Sequence, residues 1–237
     1  MLLDCVKFFT IVLAVVMNDI AQMTIKFTEI EGIFNMNKYI ALVGTNSDKS
    51  TNRELLQFMK RHYADQADIE VVEIKGLPVF NKPDNMKVPD AALAIADKID
   101  QSDGVIISTP EYDHSVPAAL MNALEWLSYG IHPFVDKPVM ITGSSYGALG
   151  SSRAQGHLRI ILDSPELRAR IMPSSEFLLD HSLQAFDDDG NLLDQEKLSK
   201  LDGLFADFQT FVGLAKQLNH ATSINRQEAS DYSWDKQ

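Results

Sequence analysis

Apolar residues along the chain fall into short continuous runs that alternate with longer amphipathic stretches. The predicted strands that contain these runs cover residues 38–44, 68–74, 104–108 and 137–143, with weaker ones at 170–172 and 175–180. Runs that are apolar throughout are typical of parallel strands, which are buried on both faces of their sheet. The sequence therefore predicts an α/β fold, with a doubly wound, five-stranded parallel sheet and helices on both faces.

Between these runs, apolar residues recur at helical spacing. The predicted helices cover residues 51–63, 88–100, 117–128, 152–164 and 193–218. In the last of them, Leu201, Phe205 and Phe208 fall on one face. We interpret residues 36–220 as one domain and residues 221–237, which are mostly polar, as a C-terminal tail.

Residues 1–35 differ in pattern from the rest of the chain. The segment CVKFFTIVLAVVM, residues 5–17, is almost wholly apolar but too short to span a bilayer as a helix. Asp4 offsets Lys7, so the positive start of a signal peptide is missing. We interpret residues 1–35 as a dispensable N-terminal extension, either an appended helix or the product of an upstream translation start. No membrane span is predicted.

The charge of the chain excludes one large class of partners. It carries 33 acidic and 21 basic residues, a net charge of −12 with neutral histidines. Such an acidic surface cannot neutralise a row of phosphates, so we expect no nucleic acid partner. The lone cysteine, Cys5, leaves no disulfide framework and no thiolate metal site, and the composition suits a cytoplasmic protein.

Three loops with unusual chemistry follow the first, third and fourth predicted strands. They are residues 44–54, 108–117 and 143–152. Open α/β sheets bind ligands outside the carboxyl ends of their strands, where the strand order reverses. We therefore expect the three loops to meet at one edge of the sheet and to form a single ligand site.

The first loop, GTNSDKSTNRE, is rich in hydroxyl and amide side chains. It is neither a Walker loop nor a GxGxxG fingerprint, because the required glycines are absent. One interpretation is a capping box formed by Thr51 and Glu54. The other is an anion site, because hydroxyls and free N–H groups at a helix N-terminus attract negative charge. The candidate side chains are Thr45, Ser47, Ser50, Thr51 and Asn52.

The second and third loops also allow two interpretations each. STPEYDHSVP could be a plain turn before a helix that begins at Pro117, or it could lay its backbone and the Tyr112 ring along a flat ligand. GSSYGALGSS lacks the glycine spacing of a dinucleotide site. It could be a flexible turn, or a place where the backbone approaches a ligand, with Ser144 and Ser145 as hydrogen-bonding partners.

These motifs resemble those of the NADPH-dependent FMN reductase family, flavodoxin-like flavoproteins that include quinone, azo and chromate reductases. The resemblance runs from about residue 36 to about residue 218. The strand-three motif Thr-Pro-Glu-Tyr is the specific part, and the phosphate loop matches in part. The matching residues are Gly44, Thr45, Ser50, Asn52, Thr109, Pro110, Glu111, Tyr112, Ser115, Pro117, Asn122 and Trp126.

The resemblance implies a flavodoxin-like fold with bound FMN and with NADPH or NADH as co-substrate. It implies hydride transfer to the flavin, then reduction of a small quinone-, azo- or flavin-type acceptor, and a homodimer or homotetramer. No general acid or base is assigned, because the chemistry belongs to the cofactor. The phosphate would be held by Thr45, Ser47, Ser50, Thr51 and Asn52. The ring would lie between Pro110, Glu111, Tyr112 and His114 on one side and Ser144, Ser145 and Gly147 on the other.

The chain departs from the family pattern at three positions. Ser47 stands where the family has a phosphate-binding arginine, so Lys49 or Arg53 would have to supply the charge. Asp113 replaces an asparagine and Ala118 a glycine. Two alternatives to a reductase are open. One is a one-electron carrier of the flavodoxin type, which the acidic surface would suit, and the other is a domain of the same fold that has lost its flavin, which Ser47 would favour.

Overall fold

The structure is a computed structural model that describes residues 36–218 and 222–232. The chain divides into two units, Met1–Met36 and Asn37–Gln237. The interpretation of residues 1–35 as an extension concerns residues outside the described part. Within that described part, none of the helices combines the length and the apolar composition that crossing a bilayer requires.

Strands and helices alternate along the described chain. The strands are β1 (Asn37–Val43), β2 (Ala67–Glu73), β3 (Gly104–Ser108), β4 (Pro138–Ser144), β5 (Arg170–Ile171) and β6 (Phe177–Leu179). The helices are α1 (Thr51–His62), α2 (Asp90–Asp100), α3 (Ala118–Trp126), α4 (Ser152–Leu162), α5 (Gln195–Gln217) and α6 (Thr222–Asp231). The first four strands each lie within one residue of the predicted position, which confirms the pattern of apolar runs.

All strands are parallel, in the order β2-β1-β3-β4-β5. The order reverses between β1 and β3, as in flavodoxin-like folds, which confirms the predicted doubly wound sheet. The fifth position is shared by two short strands. β5 pairs with the start of β4, and β6 pairs with its end.

Each face of the sheet carries its own apolar core. Along β1, Tyr39 packs with Phe205 and Phe208 of α5 on one face. The next residue, Ile40, joins Leu124 and other side chains of α2, α3 and α4 on the opposite face. Because alternate residues enter two cores, residues 39–43 of the strand are all apolar, and this is the pattern seen in the sequence.

The segment expected as a polar tail contains α6. Its Ala229 is fully buried. Arg226 reaches Asp100 at 2.5 Å, and Glu228 reaches Arg168 at 2.6 Å. These ion pairs join residues far apart in the sequence, so a local polarity pattern does not reveal them.

Candidate functional site

The three loops do meet at the carboxyl edge of the sheet, where they enclose a cleft of about 290 Å³. The lining combines a helix N-terminus, one cation, hydroxyl groups and two aromatic rings. The residues that line it are Lys49, Ser50, Thr51, Asn52, Pro110, Glu111, Tyr112, Ser144, Ser145, Tyr146 and Gly147. The cleft thus includes nine of the twelve residues expected from the sequence, together with Lys49 and Tyr146.

Asn52 ties the three loops together at the floor of the cleft. Its Nδ2 donates to the carbonyl of Ser144 at 3.0 Å, and its Oδ1 accepts from the Ser144 N–H at 2.9 Å. The hydroxyl of Ser108, the last residue of β3, donates to the same Oδ1 at 2.8 Å. Asn52 is 2% exposed. Its amide therefore orders the floor of the cleft, and one amide hydrogen remains for other contacts.

The first turn of α1 faces the cleft. Ser50 is its N-cap, with a hydroxyl that accepts from the Arg53 N–H at 3.2 Å. The capping box considered as one interpretation of this loop does not form at Thr51, because Thr51 is already the first helical residue. The Thr51 hydroxyl instead shares hydrogen bonds of 2.8 Å with the hydroxyls of Ser144 and Ser182. A helix N-terminus with unused N–H groups attracts anions.

Thr45 and Ser47 shape this loop from outside the lining of the cleft. The Thr45 hydroxyl accepts from the Ser47 N–H at 3.2 Å and shares a hydrogen bond of 3.3 Å with the Tyr112 hydroxyl. The Ser47 hydroxyl donates to the carbonyl of Lys49 at 2.8 Å. Thr45 thus connects the first loop to the tyrosine of the second, and Ser47 closes a turn.

The cations of the first loop have different surroundings. Arg53 binds both carboxylate oxygens of Glu73, at 2.5 and 2.8 Å, and this hydrogen bonding raises the pKa of its guanidinium. The carboxylate of Asp48 accepts a hydrogen bond from Lys75, and this contact lowers the pKa of Asp48. The ammonium of Lys49 has no hydrogen bond or ion pair with any described residue, and Lys49 is one of the residues that line the cleft. Of the two cations considered from the sequence, Lys49 is the one placed to meet a ligand.

Residues 112–115 form a tight turn in the second loop. Tyr112 and Ser115 exchange backbone hydrogen bonds of 3.1 and 2.9 Å. The residues between them, Asp113 and His114, have φ of 49° and 64°. Two successive left-handed residues define a type I′ turn, for which aspartate and asparagine are well suited. Both side chains are exposed, and His114 lies outside the lining of the cleft.

The carboxylate of Glu111 is engaged at the start of α4. Its Oε1 accepts from the Arg153 guanidinium at 2.9 Å, and its Oε2 accepts from the Arg153 N–H at 3.1 Å. A carboxylate in the first turn of a helix is favoured by the helix dipole. Glu111 therefore anchors the turn, and the backbone around Pro110 and Glu111 forms a wall of the cleft.

The third loop approaches its neighbours closely. A Cβ atom on Gly143 would overlap the Ser151 hydroxyl and lie 2.5 Å from the carbonyl oxygen of Thr109. Farther along, the Ser145 N–H donates to the carbonyl of Leu179 at 3.0 Å. Only glycine at position 143 allows the second and third loops to approach each other in this way.

Two further residues of the sequence motif support the scaffold. Asn122 accepts from the N–H of Phe80 at 2.7 Å and donates to the carbonyl of Pro78 at 3.0 Å. The Trp126 indole donates to the same carbonyl at 2.8 Å. These side chains of α3 hold the loop that follows β2.

Comparison with known proteins identifies the family of the chain. The profile of the family described as NADPH-dependent FMN reductase matches residues 37–184. The chain is 54% identical over 196 residues to NADH:(hydroxy)cinnamate reductase subunit CrdA of Vibrio ruber, covering 83% of this chain and 96% of the relative. It is 45% identical over 186 residues to NADH-dependent flavin reductase subunit 2 of Lactobacillus johnsonii, covering 76% and 100%.

A solved structure has the same fold. FerB of Paracoccus denitrificans, a flavoenzyme NAD(P)H:(acceptor) oxidoreductase, superposes with a TM-score of 0.65 at 26% identity, covering 77% of this chain and 98% of that one. The family resemblance inferred from the Thr-Pro-Glu-Tyr motif is thereby confirmed. The chain belongs to the NADPH-dependent FMN reductase family, and it is an oxidoreductase that uses FMN with NAD(P)H as co-substrate.

Proposed function

We propose that the cleft holds FMN and that the chain transfers two electrons from NADH or NADPH to a small acceptor of the quinone, azo or flavin type. The observation that carries this proposal is the set of groups that line one cleft. A helix N-terminus and Lys49, whose ammonium has no partner among the described residues, line it together with Pro110, Glu111 and Tyr112. FMN has matching parts, a phosphate joined to a planar ring.

At the phosphate end, Ser50, Thr51 and Asn52 would bind through their backbone N–H groups, because their side chains are largely engaged elsewhere. Lys49 would contribute the positive charge that the family obtains from arginine at the position of Ser47. Thr45 and Ser47 act through the shape of the loop. This assignment explains how a phosphate can bind without the family arginine.

At the ring end, the backbone of residues 110–112 would run along the polar edge of the ring. Ser144, Ser145 and Gly147 would bind on the other side, as the sequence suggested. The hydrogen bond shared by the Thr45 and Tyr112 hydroxyls holds the Tyr112 ring in place. His114 contributes to the turn rather than to the wall.

Bound FMN supplies hydride chemistry, and the residues of the cleft position the reactants. With a quinone, the overall reaction consumes NAD(P)H, one proton and the quinone, and it releases NAD(P)⁺ and the hydroquinone. Glu111 has both oxygens in hydrogen bonds to Arg153, so it is positioned to hold the turn rather than to move a proton. The proton comes from solvent.

The assembly and location of the chain are part of the proposal. A homodimer or homotetramer is expected from the family, and a cytoplasmic location suits a consumer of NAD(P)H with a single cysteine. Two relatives are named as subunits, so a complex with a different chain is the competing arrangement. Light scattering of the chain purified alone distinguishes a homo-oligomer from a monomer that awaits a partner.

The proposal is tested by the absorbance spectrum of the purified chain with added FMN. We expect a flavin band that bleaches with NADH or NADPH under argon and returns when a quinone is added. Steady turnover with quinone excludes a one-electron carrier, which does not accept hydride directly. A preparation that remains colourless with excess FMN would contradict the proposal and favour the flavin-free domain.

A further inference from the structure

Tyr146 lies at the mouth of the cleft, with its ring largely uncovered. Its side chain is 57% exposed, and its hydroxyl has no hydrogen bond to a residue of the described chain. The floor residues Asn52 and Ser144 are 2% and 1% exposed. A cofactor that stays bound fills the floor of such a cleft, and a molecule that exchanges at each turnover meets the mouth.

The backbone that carries Tyr146 is fixed on both sides. Ser145 donates its N–H to the carbonyl of Leu179 at 3.0 Å, and its hydroxyl donates to the carbonyl of Gly147 at 3.1 Å. The same Gly147 carbonyl accepts from the N–H of His181 at 3.1 Å. An anchored turn therefore presents an aromatic ring to the solvent-filled cleft, where it has no partner within the described residues.

A second ring lines the cleft from a different loop. Tyr112 is 48% exposed, and its hydroxyl is held by Thr45. Aromatic rings attract flat conjugated molecules by stacking, and they do so without sequence-specific or charge-specific contacts. The proposed function assigns Tyr112 to the wall beside the flavin. The exposed ring of Tyr146 is therefore the one left for a second flat aromatic molecule, rather than for a charged or non-planar one.

We propose that Tyr146 is a specificity-determining residue that stacks on flat, conjugated acceptors such as quinones as they enter the cleft. This inference rests on the proposed function, because it places the acceptor above a cofactor bound at the floor. The acceptor takes up two electrons and two protons. NAD(P)H supplies both electrons and one of the protons as a hydride, and solvent supplies the other proton. Acceptors without an aromatic plane gain nothing from Tyr146.

The test compares Tyr146→Leu with Tyr146→Phe, and uses Tyr232→Leu as the matched control. Tyr232 is also 57% exposed, but it lies outside the lining of the cleft. Each FMN-loaded protein is assayed with NADH and either menadione, a flat quinone, or ferricyanide, which cannot stack. FMN affinity is measured separately by quenching of flavin fluorescence.

We expect Tyr146→Leu to raise KM for menadione about three- to tenfold, with ferricyanide turnover and FMN affinity within about twofold of wild type. Tyr146→Phe keeps the ring and should match wild type, as should Tyr232→Leu. A loss of FMN affinity in Tyr146→Leu would overturn the inference, since the ring would then belong to the cofactor cradle. An equal change for both acceptors, or no change at all, would also overturn it.

Failure of the proposed function gives a different result. In that case the wild-type chain itself would not bind FMN or would not oxidise NADH with ferricyanide. This outcome is visible before any variant is compared, so the two failures are distinguishable.

Discussion

The side-chain amide of Asn52 pairs with the main chain of Ser144 as a neighbouring strand would, through one donated and one accepted hydrogen bond of 3.0 and 2.9 Å. The two residues are 92 positions apart in the sequence. The pairing joins the first turn of α1 to the end of β4, and Ser108 adds the end of β3. One buried amide thus fixes the relative positions of three loops.

Asn52→Ala should lower the free energy of unfolding by about 2–4 kcal/mol. The change removes three buried hydrogen bonds and leaves the Ser144 N–H and the Ser108 hydroxyl without partners, and each unsatisfied group costs about 1–3 kcal/mol. Urea unfolding monitored by circular dichroism measures the loss. The matched control is Asn81→Ala, an exposed position at which less than about 0.5 kcal/mol is expected. Equal stability of the two variants would show that the amide is not a structural tie.

The fold was predictable from the sequence because both cores draw on each of the strands β1 to β4. Residues 39–43 are apolar throughout, since Tyr39 and Ile40 enter opposite cores. The division of the fifth strand into β5 and β6 was less accessible, because two and three residues are too few to show a period. Helix α6 was missed, because Ala229 is its single fully buried residue and its ion pairs are with distant residues.

At the site, the sequence identified the three loops but not the division of roles within them. Thr45 and Ser47 have the same side-chain chemistry as residues of the lining, and only the path of the loop separates them. Arg53 and Lys49 are equally basic in sequence, yet Glu73 engages only Arg53. Tyr146 could have been identified, because it is an aromatic residue within a loop of glycine and serine. The sequence analysis of that loop considered its glycine spacing and its serines and did not consider the tyrosine.

Gly143→Ala should be severely destabilising, whereas Gly147→Ala should be neutral. The new Cβ at position 143 would lie 2.5 Å from the backbone oxygen of Thr109. Thr109 directly follows β3, so its backbone cannot move away without displacing the end of that strand. At position 147 a Cβ has no neighbour within 4 Å. We expect a loss of about 3 kcal/mol or a failure to fold for the first variant, and a change below about 0.5 kcal/mol for the second. Unfolding curves, or folded yield where no curve can be recorded, provide the comparison.

His114→Val should cost about 1–2 kcal/mol, and His114→Gly should be no less stable than wild type. The left-handed φ of 64° is strained for a β-branched residue and free for glycine. Lys87→Val, an exposed position with an ordinary φ, is the control. His114→Gly should also bind FMN within about twofold of wild type. A large loss of FMN affinity in that variant would show that the His114 side chain does belong to the FMN site.

Glu125→Gln should stabilise the protein at neutral pH. Burial raises the pKa of this half-buried carboxyl in α3, so the folded state favours the protonated form. Its contribution to stability is therefore fully present below the unfolded pKa of about 4.3 and is lost as the pH rises through the folded pKa. Glutamine removes that penalty, so unfolding free energies should diverge from wild type at pH 7 and converge near pH 4. A difference that is the same at both pH values would exclude titration of Glu125 as its cause.

Lys49→Gln should weaken FMN binding about five- to tenfold and leave riboflavin binding unchanged. Riboflavin lacks the phosphate, so it separates the charge of Lys49 from any effect on the ring end of the cleft. An exposed charge-assisted contact is worth about 1 kcal/mol, and salt screens it, so the difference should shrink as ionic strength rises.

Lys75→Gln is the control, because the ammonium of Lys75 pairs with Asp48 and Lys75 lies outside the lining of the cleft. If Lys49→Gln weakens riboflavin and FMN equally, or if Lys75→Gln has the same effect, the phosphate charge comes from elsewhere. Retention of tight FMN binding in both variants would mean that the α1 N-terminus suffices for the phosphate.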